Sequence, residues 1–106
     1  MDADLTFEWD ELKNLANVRK HKIAFADAKK IFAGPITIDA DTRLDYDEER
    51  WIATGLVHGR TVAVVFTIPS ANRVRLISAR KVSPQERKRY EEKIEETRAE
   101  DELEGI

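Results

Sequence analysis

The chain has 106 residues, no cysteine, 42% hydrophobic and 37% charged residues, and a formal charge of −3. This length predicts one domain around one core, and no apolar run approaches the ~20 residues of a membrane helix. Without cysteine there are no disulfides, thiolate nucleophiles or cysteine–zinc sites. The acidic start Met1-Asp2-Ala3-Asp4 is unlike a signal peptide, so a cytoplasmic protein is expected.

Leu5 to Trp9 alternates apolar and polar residues and predicts a short first strand. Asp10 is a helix cap, after which Leu12, Leu15, Ala16 and Arg19 follow helical spacing to about His21. The basic residues Arg19, Lys20 and Lys22 suit the negative pole of that helix. Phe25, Ala28, Ile31 and Phe32 mark a second helix, stopped by Gly34-Pro35, and the two helices are expected to pair on one face of a sheet.

A possible strand at Ile36–Asp39 leads to an acidic turn containing Asp41, Asp45, Asp47, Glu48 and Glu49. Two strands follow, Arg50–Val57 and Arg60–Ile68, joined by a tight turn at His58-Gly59. After a turn at Pro69–Asn72, Arg73 to Val82 interleaves apolar and basic residues in a further strand. Ser83-Pro84-Gln85-Glu86 is a capping box with proline at the first helical position, so the last helix starts at a sharply specified point. Its apolar pattern fades past Ile94. We therefore expect one domain over residues 1–92 and an acidic, exposed and frayed helical extension over 93–106. The order β-α-α, about four strands, then α predicts an α+β fold: two N-terminal helices and one C-terminal helix on a mainly antiparallel sheet of four to five strands.

Charge is unevenly distributed. Residues 1–59 carry −4, residues 60–90 carry +7 and residues 91–106 carry −6. A basic block between acidic flanks is either a footprint for a polyanion or a solvated strand face balanced by nearby acids. No glycine-rich phosphate loop, HExxH or G-x-S-x-G is present. Asp39, Asp41 and Asp45 mimic part of a calcium loop, but Leu44 and Arg50 stand where glycine and glutamate are needed, so a solvated turn is expected instead. His58 reads as a turn residue. His21 is either a helix-end surface histidine or a proton carrier near neutral pH.

A ribonuclease without metal needs a base near the 2′-hydroxyl, cations around the phosphate and a proton for the leaving oxygen. Lys20, Arg50, Arg60, Arg75, Arg80 and Lys81 could supply the cations, and His21, Glu48, Glu49 or Tyr90 the proton transfer. Periodicity does not choose among them.

Phe7-Glu8-Trp9-Asp10, Lys13-Asn14, Asn17, Lys20-His21 and Phe25 resemble the opening of the BrnT family. Asp45-Tyr46, Glu48-Glu49-Arg50, Gly55, Gly59-Arg60, Ile77-Ser78-Ala79-Arg80-Lys81, Glu86-Arg87 and Tyr90 resemble its middle and end. The resemblance covers about residues 7 to 91. It implies a RelE-like fold, the toxin of a type II toxin–antitoxin module, and a metal-independent ribonuclease that needs no cofactor and stops translation. It also implies neutralisation by a BrnA-like antitoxin with a ribbon-helix-helix part, which would carry any contact with operator DNA.

Within that reading Arg60, Arg80 and Lys81 hold the phosphate and Lys20 and His21 lie near the reacting hydroxyl, with Glu49 and Tyr90 as further catalytic candidates. Arg50, Arg73, Arg75 and Arg87 are the expected RNA-binding or steering residues. The alternative for Arg60 and Arg80 is a structural ion pair with Glu48, Glu49 or Glu86. The alternative functions are a non-catalytic binding module with a basic face and a degenerate, inactive toxin. Two positions depart from the family pattern. Lys22 stands where a glycine would suit a left-handed helix stop, at a cost of roughly 1 kcal/mol if that geometry is kept. Ala24 removes a cap, again worth about 1 kcal/mol.

Overall fold

The computed structural model describes residues 4–104. The first three residues of the acidic start and the last two of the expected extension lie outside them. Five strands form one sheet in the order β1-β5-β4-β3-β2, where β1 is Thr6–Glu8, β2 Thr37–Ala40, β3 Trp51–Val57, β4 Arg60–Ser70 and β5 Arg73–Lys81. The pairings among β2, β3, β4 and β5 are antiparallel, whereas β1 joins β5 in parallel. The sheet is therefore mixed, a consequence of β1 entering beside the last strand instead of its sequence neighbour.

Helix α1 (Glu11–His21) starts where the Asp10 carboxylate accepts from the N–H groups of Leu12 and Lys13. It ends at Lys22, held at φ 62°, so the left-handed stop is kept without glycine. The second helix is shorter than its apolar stripe suggests: α2 covers Phe25–Ala28 and continues as a 3-10 helix over Lys29–Ala33. No side chain of Ala24 caps it, but the Phe25 N–H is taken by Asn14 Oδ1 at 2.8 Å. Helix α3 (Pro84–Glu104) begins with the capping box in place: Glu86 N–H donates to Ser83 Oγ and Ser83 N–H to Glu86 Oε1. It is continuous to Glu104, and Glu95 to Glu102 are exposed.

One face of the sheet packs against α1, α2 and the 3-10 helix. Its centre is Phe25, Ala28, Ile31, Val64, Phe66, Leu76 and Ala79. Phe32 bridges Phe7 and Phe66 with tilted and edge-on rings. Gly55 is needed here because a Cβ would stand 2.8 Å from Ile31 Cβ. The turn His58-Gly59 carries positive φ at both residues, as a tight hairpin requires. The second turn is shorter than expected: β4 runs on to Ser70, and only Ala71 and Asn72 link it to β5.

The second face carries Ile52, Thr54, Ala63 and Val65 from the other parity of β3 and β4. Helix α3 lies over it, and Tyr90 Oη donates to the Pro35 carbonyl at 2.7 Å. Between helix and sheet runs a groove of about 970 Å³ lined by Thr37, Thr54, Ala63, Arg80, Tyr90 and Lys93, among others.

A bulge decides which basic residue of β5 faces which side. Leu76 pairs with Phe66 and Ser78 with Val65, so Ile77 is an extra residue. Beyond it Ala79 faces the core beside Val64, Arg80 joins Ala63 on the α3 face, and Lys81 joins Val62 on the α1 face. The spacing marked α1 as a helix but not its orientation. Asn17 is buried, whereas Leu12 and Leu15 are exposed.

Candidate active site

The positions of the candidate residues follow from one side-chain clamp. Asn17 Nδ2 donates to the Ala79 and Ile23 carbonyls, each at 2.9 Å, and its Oδ1 accepts from Ala79 N–H at 3.0 Å. Asparagine is a poor helix former, and burying its amide is unfavourable unless every polar atom is paired. Here the amide serves as a short substitute strand on the edge of β5 beyond the reach of β1. With Asn14 it forms a positioning pair to which charge and periodicity gave no role. The signal was two polar residues at i, i+3 on one side of a helix.

The clamp fixes the end of α1 against the end of β5. β1 pairs in parallel with β5, placing Glu8 level with Arg75, and α1 then advances in the same direction to bring Asn17 to Ala79. His21 lies four residues beyond Asn17, about 6 Å at 1.5 Å per residue. Lys81 lies two residues beyond Ala79, about 6.6 Å along a strand. Both thus lie beyond the clamp, toward the same end of the α1 side of the sheet. Arg60 shares that face with Val62, the partner of Lys81, and is a diagonal neighbour of Lys81 at a typical backbone spacing of roughly 7–8 Å. His21 is half-buried; Lys20, Arg60 and Lys81 are exposed. None of the four forms an ion pair with another described residue.

Arg80 sits at the same end of the sheet but on the opposite face. Its guanidinium grips Glu86 with two bonds of 3.0 and 2.8 Å and also reaches the Lys81 carbonyl. The bonds from Arg80, with help from the Ser83 N–H, hold the Glu86 carboxyl down at about 2. The same pairing keeps Arg80 firmly protonated. The ion-pair alternative for Arg80 is thus what the geometry contains, with Glu86 as partner. For Arg60 no such pair exists among the described residues. Arg87 is exposed in the first turns of α3.

The remaining candidates are not brought to this cluster. Tyr90, on α3, has its hydroxyl bound to the Pro35 carbonyl, and burial raises its phenol above the usual range. Glu49 and Arg50 precede β3, whose other end meets Arg60, so about 20 Å of strand separates them from it. Arg50 stacks on Tyr46 at 4.1 Å and pairs with Glu48 at 3.6 Å. Arg73 and Arg75 both pair with Glu8, at 3.5 and 2.6 Å. The acidic turn is not simply solvated. Asp41 is fully buried in its side chain, binds Arg43 through both oxygens and is held at about 2 by those bonds. Among the described residues no cluster of three or more histidine and carboxylate groups is placed to hold a metal, and no helix is long and apolar enough to cross a membrane.

No curated protein matches the chain. Among solved structures it is similar to the Brucella abortus ribonuclease toxin BrnT. The two share 26% identity with a TM-score of 0.56, over 74% of this chain and 97% of that one. The family model for the BrnT ribonuclease toxin of type II toxin–antitoxin systems matches residues 9–86, a span that includes α1, the clamp, the whole sheet from β2 to β5 and the capping box. The chain therefore belongs to the BrnT family of ribonuclease toxins of type II toxin–antitoxin systems.

Proposed function

We propose that the chain is a metal-independent endoribonuclease that arrests translation and works at the end of the sheet formed by His21, Lys20, Arg60 and Lys81. The observation that supports it is a contrast in charge. Arg43, Arg50, Arg73, Arg75 and Arg80 each hold a carboxylate, whereas Arg60 and Lys81, diagonal neighbours on the α1 face, and Lys20 and His21 at the end of α1 have no acidic partner among the described residues. Unneutralised cations are what a phosphodiester with growing negative charge requires. His21 takes the proton of the 2′-hydroxyl, and the oxygen attacks phosphorus. The bond to the 5′ oxygen breaks, leaving a 2′,3′-cyclic phosphate, and the 5′ oxygen departs with a proton from the surrounding ammonium groups. Arg60 and Lys81 bind the phosphate, and Lys20 flanks His21. Arg80 supports the site from the other face through Glu86, and Arg87 extends the basic surface along the RNA.

In this reading a BrnA-like antitoxin with a ribbon-helix-helix part neutralises the toxin in the cytoplasm and carries all contact with operator DNA. The test is RNA cleavage by the purified chain with and without chelator. Cleavage that survives chelator, is lowered in Lys81→Ala and is lost in His21→Ala supports the proposal. Salt-sensitive RNA binding without cleavage replaces it with a binding module.

A further inference from the structure

Helix α1 is inverted. A surface helix normally turns its apolar stripe to its own core and its polar side to water. In α1 the buried residue is Asn17, which shares its side of the helix with Asn14 and His21. The stripe of Leu12, Leu15, Ala16 and Arg19 faces outward, with Leu12 77% and Leu15 52% exposed. Nothing in the described fold covers it. An apolar helix face left in water marks a contact with another molecule.

Charge along α1 says which molecule. Asp10 and Glu11 stand at its first turn, and Arg19 and Lys20 at its last. Such a helix is complementary to itself when turned end for end. A two-fold axis through Leu15 sets Leu15 against Leu15, Glu11 of one copy opposite Arg19 of the other, and Leu12 opposite Val18. It also aligns the two helix dipoles antiparallel. Arg19 has no acidic partner among the described residues, so its charge is available for this pairing.

We propose that the outer stripe of α1 is a homodimer contact whose occupant is α1 of a second copy of this chain. One eleven-residue helix is about 16 Å long, too short for the ~1,200 Å² of a standard interface, so the dimer is weak, with a dissociation constant on the order of micromolar or above.

The test is sedimentation velocity on the full chain over a concentration series bracketing that value. The expected result is a concentration-dependent dimer that Leu15→Glu abolishes with unchanged far-ultraviolet circular dichroism. Arg19→Glu, which sets like charges across the axis, should weaken it about tenfold, and Glu11→Lys combined with Arg19→Glu should restore it. If Leu15→Glu lowers stability, the two charge variants decide. A wild-type chain that stays monomeric throughout overturns the proposal, as does a Leu15→Glu variant that dimerises like wild type. A monomeric chain that binds a different protein through this stripe, with binding lost in Leu15→Glu, overturns it in favour of that partner.

Discussion

Asn17 and Ala79 are joined twice, the Ala79 N–H donating to Asn17 Oδ1 and Asn17 Nδ2 donating back to the Ala79 carbonyl. This side-chain amide sets the end of α1 against the end of β5. Replacing Asn17 with alanine strands three buried backbone groups, those of Ala79 and the Ile23 carbonyl. The expected loss of stability is about 3 kcal/mol, with RNA cleavage falling roughly a further hundredfold in the folded fraction as His21 loses its alignment. Denaturant unfolding and single-turnover cleavage check both, and a variant within about 1 kcal/mol of wild type would show that the clamp is dispensable.

Lys22 holds a conformation that suits glycine. Lys22→Gly should raise stability by up to about 1 kcal/mol, lifting the melting temperature by up to roughly 4 °C in a domain of this size. Calorimetry on the two proteins is sufficient, and a lower melting temperature in the glycine variant contradicts the strain.

Acid should loosen the junction between β5 and α3. Glu86 is depressed from the usual 4.5 to about 2 by Arg80 and the Ser83 N–H. A carboxylate with a lowered folded-state value stabilises the fold above its unfolded value, and that contribution disappears as pH falls from about 4.5 toward 2. Glu86→Gln should therefore cost about 1–2 kcal/mol at neutral pH and flatten this part of the stability profile. Urea midpoints measured between pH 7 and pH 2.5 test it. The buried Asp41 carboxyl, also held at about 2 by Arg43, leaves its own dependence in the same window, which the variant retains.

The candidate residues should divide by location. Arg60→Ala and Lys81→Ala are exposed changes, so each should lower cleavage about tenfold to a hundredfold with little change in melting. Glu49→Ala should leave cleavage within about twofold, because it lies one strand length away. Tyr90→Phe should keep activity but lose about 1 kcal/mol through the missing bond to Pro35. Strong loss of cleavage in Glu49→Ala would move the site to the opposite end of β3.

The local rules of the chain were readable residue by residue. Asp10 and the Ser83–Glu86 box fixed two helix starts, His58-Gly59 fixed a turn, and alternation marked the strands, because each depends on neighbours within about four positions. The same information placed the positive charge in one block. It did not reveal that Asn14 satisfies the Phe25 N–H at the start of α2, since that bond comes from another element.

Sequence by itself determined the elements, their order and the resemblance that names the family. Only the tertiary structure decided which side each charge serves. Strict alternation through β5 would group Arg80 with Val74 and Leu76, yet the extra residue Ile77 sends Arg80 to the α3 face and Lys81 to the α1 face. That bulge exists because of how β5 registers on β4, a pairing across the sheet that no local pattern encodes. Likewise, α1 turns asparagine inward because the free edge of β5 needs hydrogen bonds more than the core needs Leu12 or Leu15. Burial of a backbone edge is a property of the assembled sheet, and so is the cationic end it creates.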